Sequence, residues 1–407
     1  MSGALDQTPT PPVAQGGAEP ETPLYRMSPL EVACGWVPGL LAEELSHRPP
    51  APAHPLAALE EAIRPALCRP PCMVQFSGGR DSSLVLAVAL RSARRLGLQE
   101  PVALTHCFPG LDETREEQWQ ELVVRHLGVS NWERVDVSDE LDLVGPVCGA
   151  SLRRHGLLWP PMVHSRHFDF ARAVGGSLLD GEGGDEVLGP GRLAVVGALL
   201  SGRARPDREV LKQLALVLSP PPVRRRVARH LYRRHIRPPW LRPGAWHVLE
   251  SALADDFAGE PLDRRRSLLR HARLRMVTFF RANSRALGRE HDVLDVKPLL
   301  DVGFLTALGR AGGRMGFTGR GRAMSALFAE ILPDEVLHRA DKPRFNRVAF
   351  NVHSRAFVAG WDGHGVDDEL VDPEGLRRAW AEDEPNALSF ALLQAAWLNG
   401  AQRTAPR

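Results

Sequence analysis

Between residues 72 and 180, short runs of apolar and β-branched residues alternate with longer stretches whose apolar positions recur every three or four residues. The short runs, at 72–76, 102–107 (VALTHC), 132–137 (WERVDV) and 177–180 (SLLD), predict strands; the longer ones, at 82–96, 113–127 and 162–174, predict helices. A further helical spacing covers 56–67 (LAALEEAIRPAL). Strand–helix–strand alternation of this kind predicts an α/β fold, with an open, mainly parallel sheet covered by helices on both faces. After residue 190 the β signals fade and helical periodicity runs to the end, so the C-terminal half is expected to be mostly helical. Residues 1–24 are rich in Pro, Gly and Thr and read as a disordered tail. Residues 25–69 read as a short N-terminal segment, a proline-rich linker (HRPPAPAHP) and a helix, and 70–400 as one α/β unit without internal repeats.

Composition narrows the class. The chain has 407 residues, 43% hydrophobic and 25% charged, as in ordinary soluble proteins, and a formal charge of +2, which gives no reason to expect nucleic acid or membrane partners. Of 51 basic residues only Lys212, Lys297 and Lys342 are lysine, so a lysine in a chemically useful place stands out. The five scattered cysteines argue for a reducing compartment, and the lone Cys68-x-x-x-Cys72 has no second pair to complete a zinc site. With neither a signal-peptide pattern nor a long apolar run, the expected location is cytoplasmic. The basic block at 202–242 reads as a solvated helix face, with a docking surface for an acidic partner or anionic substrate as the alternative.

The chemistry concentrates in two loops. In an open α/β sheet, ligands bind beyond the carboxyl ends of the strands. The loop after the first strand is Ser77-Gly78-Gly79-Arg80-Asp81-Ser82-Ser83. Its glycines allow close backbone approach, and the helix that follows directs free N–H groups and a positive dipole end at the loop. With three hydroxyls added, the loop suits a polyphosphate. The carboxylate of Asp81 would repel a bare phosphate, but is sensible with Mg2+ between them. GxxxxGK[ST], GxGxxG and GxSxG are all absent. The second loop, DGEGGDE, follows the run at 177–180 and carries Asp180, Glu182, Asp185 and Glu186 among paired glycines. Parallel strand order would place it beside the first.

Together, SGGxDSS and GEGxDE resemble the synthetase domain of asparagine synthetase and its relatives, which include β-lactam synthetases and the macrolactam-forming enzymes of lasso-peptide pathways. FFRANSRALGREHDVLDVKPLLD (279–301) is similar to that family's RAN helix and P-[FL]-L-D segment, and LPDEVLHRADKPRFN (332–346) to its LP…R…K…F segment. The resemblance covers about residues 70–400. It implies an ATP pyrophosphatase fold and an AMP-forming carbon–nitrogen ligase: a carboxylate attacks the α-phosphate of ATP, and an amine or ammonia then displaces AMP. Carried over, Ser77, Gly78, Gly79, Asp81, Ser82 and Ser83 would hold ATP and pyrophosphate. Asp81 and Asp185 would bind Mg2+, Glu182 would contact or deprotonate the amine, and Lys342 would stabilise charge on the phosphates.

The chain also departs from the family. Residue 2 is Ser where glutamine-dependent members expose a Cys, and only some 70 residues precede the loop, so this chain is not expected to hydrolyse glutamine; nitrogen would come from a free amine, ammonia or a separate partner protein. Thr278, Leu294 and Val296 stand where asparagine-forming members carry charged residues, which argues for a carboxylate larger than aspartate, in a specialised metabolite or precursor peptide. Two other readings are a pyrophosphatase-loop enzyme of tRNA modification or sulfur transfer, and a non-catalytic nucleotide-binding protein. The pair His164-x-x-His167 lacks an adjacent third ligand and reads as packing or hydrogen bonding. Trp159, before Pro160 and Pro161, reads as a pocket wall.

Overall fold

The computed structural model describes residues 24–41, 52–111, 114, 116–339 and 345–404. The tail up to residue 23, the first part of the linker and Lys342 lie outside them. Five strands form one all-parallel sheet: β1 (Cys72–Gln75), β2 (Val102–Cys107), β3 (Trp132–Asp136), β4 (Ser177–Leu179) and β5 (Leu294–Val296), in the order β3-β2-β1-β4-β5. The first four coincide with the four predicted runs. β5 was not expected so far along the chain. It is only three residues long with a carboxylate at its centre, and it is tolerated because Asp295 is neutralised by buried cations.

Helices cover both faces. The first is α1 (Pro29–Cys34), followed by α2 (Pro55–Leu67), α3 (Arg80–Leu96) and α4 (Glu117–Leu127), the last three where the periodicity predicts them. α5 (Pro146–His155) leads to the predicted helix at 162–174, which is instead a 3-10 turn, Pro161–Arg166, and the one-turn α6 (His167–Phe170). Tertiary bonds override helical propensity there: His164 bonds to Ser151, Arg166 to Asp295, and Asp169 to His106 and Gln75.

The two-residue period of β1 divides the core. Val74 and Phe76 pack under α2 and α3, whereas Met73 faces Leu178, Phe170 and Leu287 on the other side. A separate core joins α1 to the C-terminal helices through Trp240, Trp246, Trp361 and Trp380, and the Trp240 indole donates to the Ala33 carbonyl at 3.0 Å. Trp159 also belongs to this core and not to a pocket wall; its carbonyl accepts from Asn283, which also bonds both ways with the Tyr25 backbone. The basic block forms helices Arg208–Leu218 and Pro221–His235, with Arg225 and Arg233 paired to Asp255 and Glu250. Among the described residues no helix is long and apolar enough to cross a membrane.

One buried carboxylate fastens the C-terminal segment to the sheet domain. Asp142 accepts from the backbone N–H groups of Asn351, His353 and Ser354 at 3.1 Å each, and from the Ser354 hydroxyl at 2.6 Å. It thereby caps the helix Val352–Ala359 from more than two hundred residues away in sequence. Asp142→Ala leaves several buried donors unpaired at about 1–3 kcal/mol each before relaxation. It is expected to cost roughly 3 kcal/mol or more of unfolding free energy, with Asp142→Asn costing less. Chemical denaturation checks this; a loss below about 1 kcal/mol would contradict the anchoring role.

Candidate functional site

The first loop leaves β1 at Phe76 and turns through Gly78, whose φ of +86° only glycine adopts readily. A Cβ there would also lie 2.9 Å from Cγ of Gln120. Gln120 donates to the Ser77 carbonyl at 3.1 Å, and Arg339 donates to the Gly78 carbonyl at 3.2 Å. Within the turn, the Ser77 and Ser82 hydroxyls lie 3.1 Å apart, and Ser82 Oγ also meets Ser77 N and Gly79 O. α3 then begins at Arg80 behind Gly79, which has no side chain to cap it. Its first N–H groups and dipole therefore face the cleft, as an anion site requires.

The second loop leaves β4 and packs directly on the first, because β4 pairs with β1 in register Val74↔Leu179. The contact leaves no space for side chains. A Cβ on Gly181 would sit 2.8 Å from the Ser82 nitrogen, and one on Gly184, first residue of α7 (Gly184–Val187), 2.2 Å from Asp81 Cγ. Gly183 has φ +85° and lies against Leu300. The glycines of the acidic loop are thus spacers that bring carboxylates onto the phosphate-type loop.

Asp81 and Asp185 converge on one cation: the guanidinium of Arg320, at the start of the helix Arg320–Phe328, pairs with both. Burial raises the pKa of Asp81 despite the pull of Arg320, and its Oδ1 is buried without a hydrogen-bond partner. Two carboxylates already sharing a positive charge, one with an unsatisfied oxygen, match the all-oxygen ligand preference of Mg2+.

Beneath the loops lies a buried four-charge cluster. Arg166 contacts Asp180 at 2.9 Å and Asp295 at 2.7 Å; Lys297 contacts the same two at 2.9 and 2.8 Å. Burial opposes ionisation of Asp295, but Lys297 and Arg166 overcome it and hold the carboxyl well below its usual range. Glu182, beside this cluster and open to the cleft, is pushed up to about 6 by desolvation and by the charge of Asp180. The whole arrangement opens into a cleft of about 610 Å³. Both loops line one part of it, and His106, Phe108, Met162, Val163, Phe345 and Val348 wall the rest.

The structure therefore brings Ser77, Gly79, Asp81, Ser82, Glu182 and Asp185 to one cleft. Gly78 supplies the turn behind them. Ser83 differs: its side chain is fully buried in the first turn of α3, facing the core and not the cleft. Arg320, Arg339, Arg166 and the Asp295–Lys297 pair escaped the sequence reading. In a chain with almost no lysine, single arginines carry little signal, and Arg339 is defined only by its partners: it pairs with buried Glu116 and lies 4.8 Å over the Trp119 ring. Lys297 could have been found, being one of three lysines and adjoining Pro298. The charges missing at Leu294 and Val296 stand one residue later, at Asp295 and Lys297.

The model of the asparagine synthase family matches residues 56–399, most of the chain. No curated protein matches it. This protein belongs to the asparagine synthase family, a family of ATP-dependent carbon–nitrogen ligases acting on a carboxylate with an amine or ammonia donor.

Two measurements probe the site. Arg320→Ala removes the shared cation and leaves Asp81 and Asp185 repelling each other, so Mg2+ or Mn2+ without nucleotide is expected to raise the variant's melting temperature by more than it raises that of the unaltered protein. Equal shifts would count against the shared-cation reading. Gly184→Ala forces a methyl group into Asp81 and is expected to weaken ATP binding at least about tenfold, read by calorimetry, with the fold retained by circular dichroism.

Proposed function

We propose that this asparagine synthase family member adenylates a bulky, largely apolar carboxylate with ATP and passes the acyl group to an amine or ammonia. The observation that carries this reading is the contact between the two glycine-rich loops at the carboxyl ends of β1 and β4. It gathers a phosphate-type turn, an uncapped helix N-terminus and two carboxylates on one cation into a single cleft.

In the first step an oxygen of the substrate carboxylate bonds to the α-phosphorus of ATP and the bond to the bridging β-phosphate oxygen breaks, releasing pyrophosphate. The backbone and hydroxyls of Ser77, Gly79 and Ser82, with the N-terminus of α3, would bind the leaving pyrophosphate. Asp81 and Asp185 would hold Mg2+, which supplies charge neutralisation for the polyphosphate when bound. Lys342 would add positive charge on the phosphates. In the second step the amine nitrogen bonds to the acyl carbon, AMP leaves with the ester oxygen, and the proton from nitrogen passes to Glu182. The apolar and aromatic walls at Met162, Val163, Phe108 and Phe345 suit an acyl group larger than that of aspartate, as in a specialised metabolite or a precursor peptide. The five free thiols, three of them buried, suit the reducing cytoplasm.

ATP–pyrophosphate exchange across a panel of carboxylates tests the proposal. A cognate acid should give exchange, and AMP but not ADP as product; Asp81→Ala and Lys342→Ala should each reduce exchange by roughly 100-fold or more. ADP formation would overturn the chemistry, and full activity in both variants would overturn the residue roles. The amide-forming step carries its own pH signature. Glu182 is protonated below about 6 and cannot accept a proton there, so the rate should fall as pH drops through about 6 and level off above it. Glu182→Gln should slow this step and abolish that acid limb while leaving pyrophosphate exchange in place.

A further inference from the structure

Behind the cleft, on the same segment that supplies its wall, lies a cluster of imidazoles with no part in the steps above. We propose that His155, His167 and Glu290 bind a divalent transition-metal ion of the zinc class, which fastens the segment 155–167 to the end of the helix Arg275–Arg289. One ligand atom from each of the three lies within 4.8 Å of the other two. Of the pair His164-x-x-His167 only His167 is a ligand, and the fold brings to it His155 from the end of α5 and Glu290 from more than a hundred residues downstream.

Buried His155 Nε2 pairs with Glu290 Oε1 at 3.1 Å. Ligand atoms on a tetrahedral zinc ion, at about 2.0–2.1 Å from the metal, lie about 3.3 Å apart, so this edge already has a coordinating separation. The longest edge, at most 4.8 Å, closes by roughly 1.5 Å on binding. The other Glu290 oxygen is taken by Arg154 at 3.1 Å. His167 Nδ1 lies 2.7 Å from His291 Nε2, the outer hydrogen bond that orients a metal-bound imidazole and leaves its Nε2 to the metal. That Nε2 meets only the rotatable hydroxyl of Ser151, at 3.1 Å.

The fully buried His164 is not among the ligands; its Nδ1 meets at 2.8 Å the Ser151 hydroxyl that also faces His167. Imidazole with carboxylate suits zinc, cobalt or nickel and not Mg2+. The same segment carries Pro160, Met162 and Arg166 on the cleft side, so an ion here braces the substrate wall from behind.

Titrating Co2+ into the tag-free, metal-stripped full chain and following its visible ligand-field absorption tests the site. One Co2+ per chain should bind saturably, be displaced by Zn2+ but not by excess Mg2+, and raise the melting temperature. Glu290→Gln and His155→Gln, with unchanged circular dichroism, should each lower Co2+ affinity by more than about 100-fold, and His291→Ala by roughly 10–100-fold. Glu290 lies at the outer edge of the cluster, and the melting temperature of each metal-free variant separates loss of the ion from loss of the fold. Absence of saturable binding, or equal affinity in the Glu290→Gln and His155→Gln variants, overturns the site.

Discussion

The contact of Gly181 and Gly184 with Ser82 and Asp81 is the constraint on which the candidate site depends. A side chain on either glycine would occupy the space now filled by the first loop, at 2.8 and 2.2 Å from its atoms. Only with both positions empty can strands β1 and β4, paired from Cys72↔Ser177 to Val74↔Leu179, end in loops that touch. Parallel pairing makes the contact possible, since it leaves both carboxyl ends on one edge of the sheet. Asp81 and Asp185 then fall close enough to share Arg320, and the uncapped start of α3 faces the same space.

The second requirement is electrostatic. Four charges buried together are stable only because they alternate: Arg166 and Lys297 each touch both Asp180 and Asp295. Removing any one would leave its neighbours uncompensated in a low-dielectric setting. The cluster ties together the end of β4, the strand β5, and the 3-10 turn that walls the cleft. It also frames Glu182, whose carboxyl is raised by desolvation and by Asp180 and held back by Lys297 and Arg166. The cluster therefore fixes the wall of the cleft and the charge setting of Glu182 together.

The two parts of the cleft come from different portions of the chain, and this separates their roles. Tight turns at two strand ends build the side formed by the two glycine-rich loops, which leaves little freedom in residue choice. The apolar side is assembled from the segment before α6 and from residues 345–348, held to the sheet domain through Asp142. Side chains such as Met162, Val163, Phe345 and Val348 can change there without disturbing the loops.

Local patterns were enough for four of the five strands, for α2 to α4, and for both glycine-rich loops, because apolar periodicity and turn chemistry act over neighbouring residues. The acids and hydroxyls within those loops were legible for the same reason. What local pattern could not supply were partners from distant segments. β5 is too short to carry a period, and the residues 162–174 gave up their helical spacing to buried hydrogen bonds. Ser83 looked like a loop hydroxyl until the helix turned it into the core. Arg320 and Arg339 acquire meaning only where the fold sets them against Asp81, Asp185 and Glu116. The same holds for His155 and Glu290, which flank His167 only after the chain has folded. Chain-local chemistry is written in neighbouring residues, whereas charge compensation and ligand sets require the tertiary structure, since electrostatic partners are chosen by distance in space and not by distance in sequence.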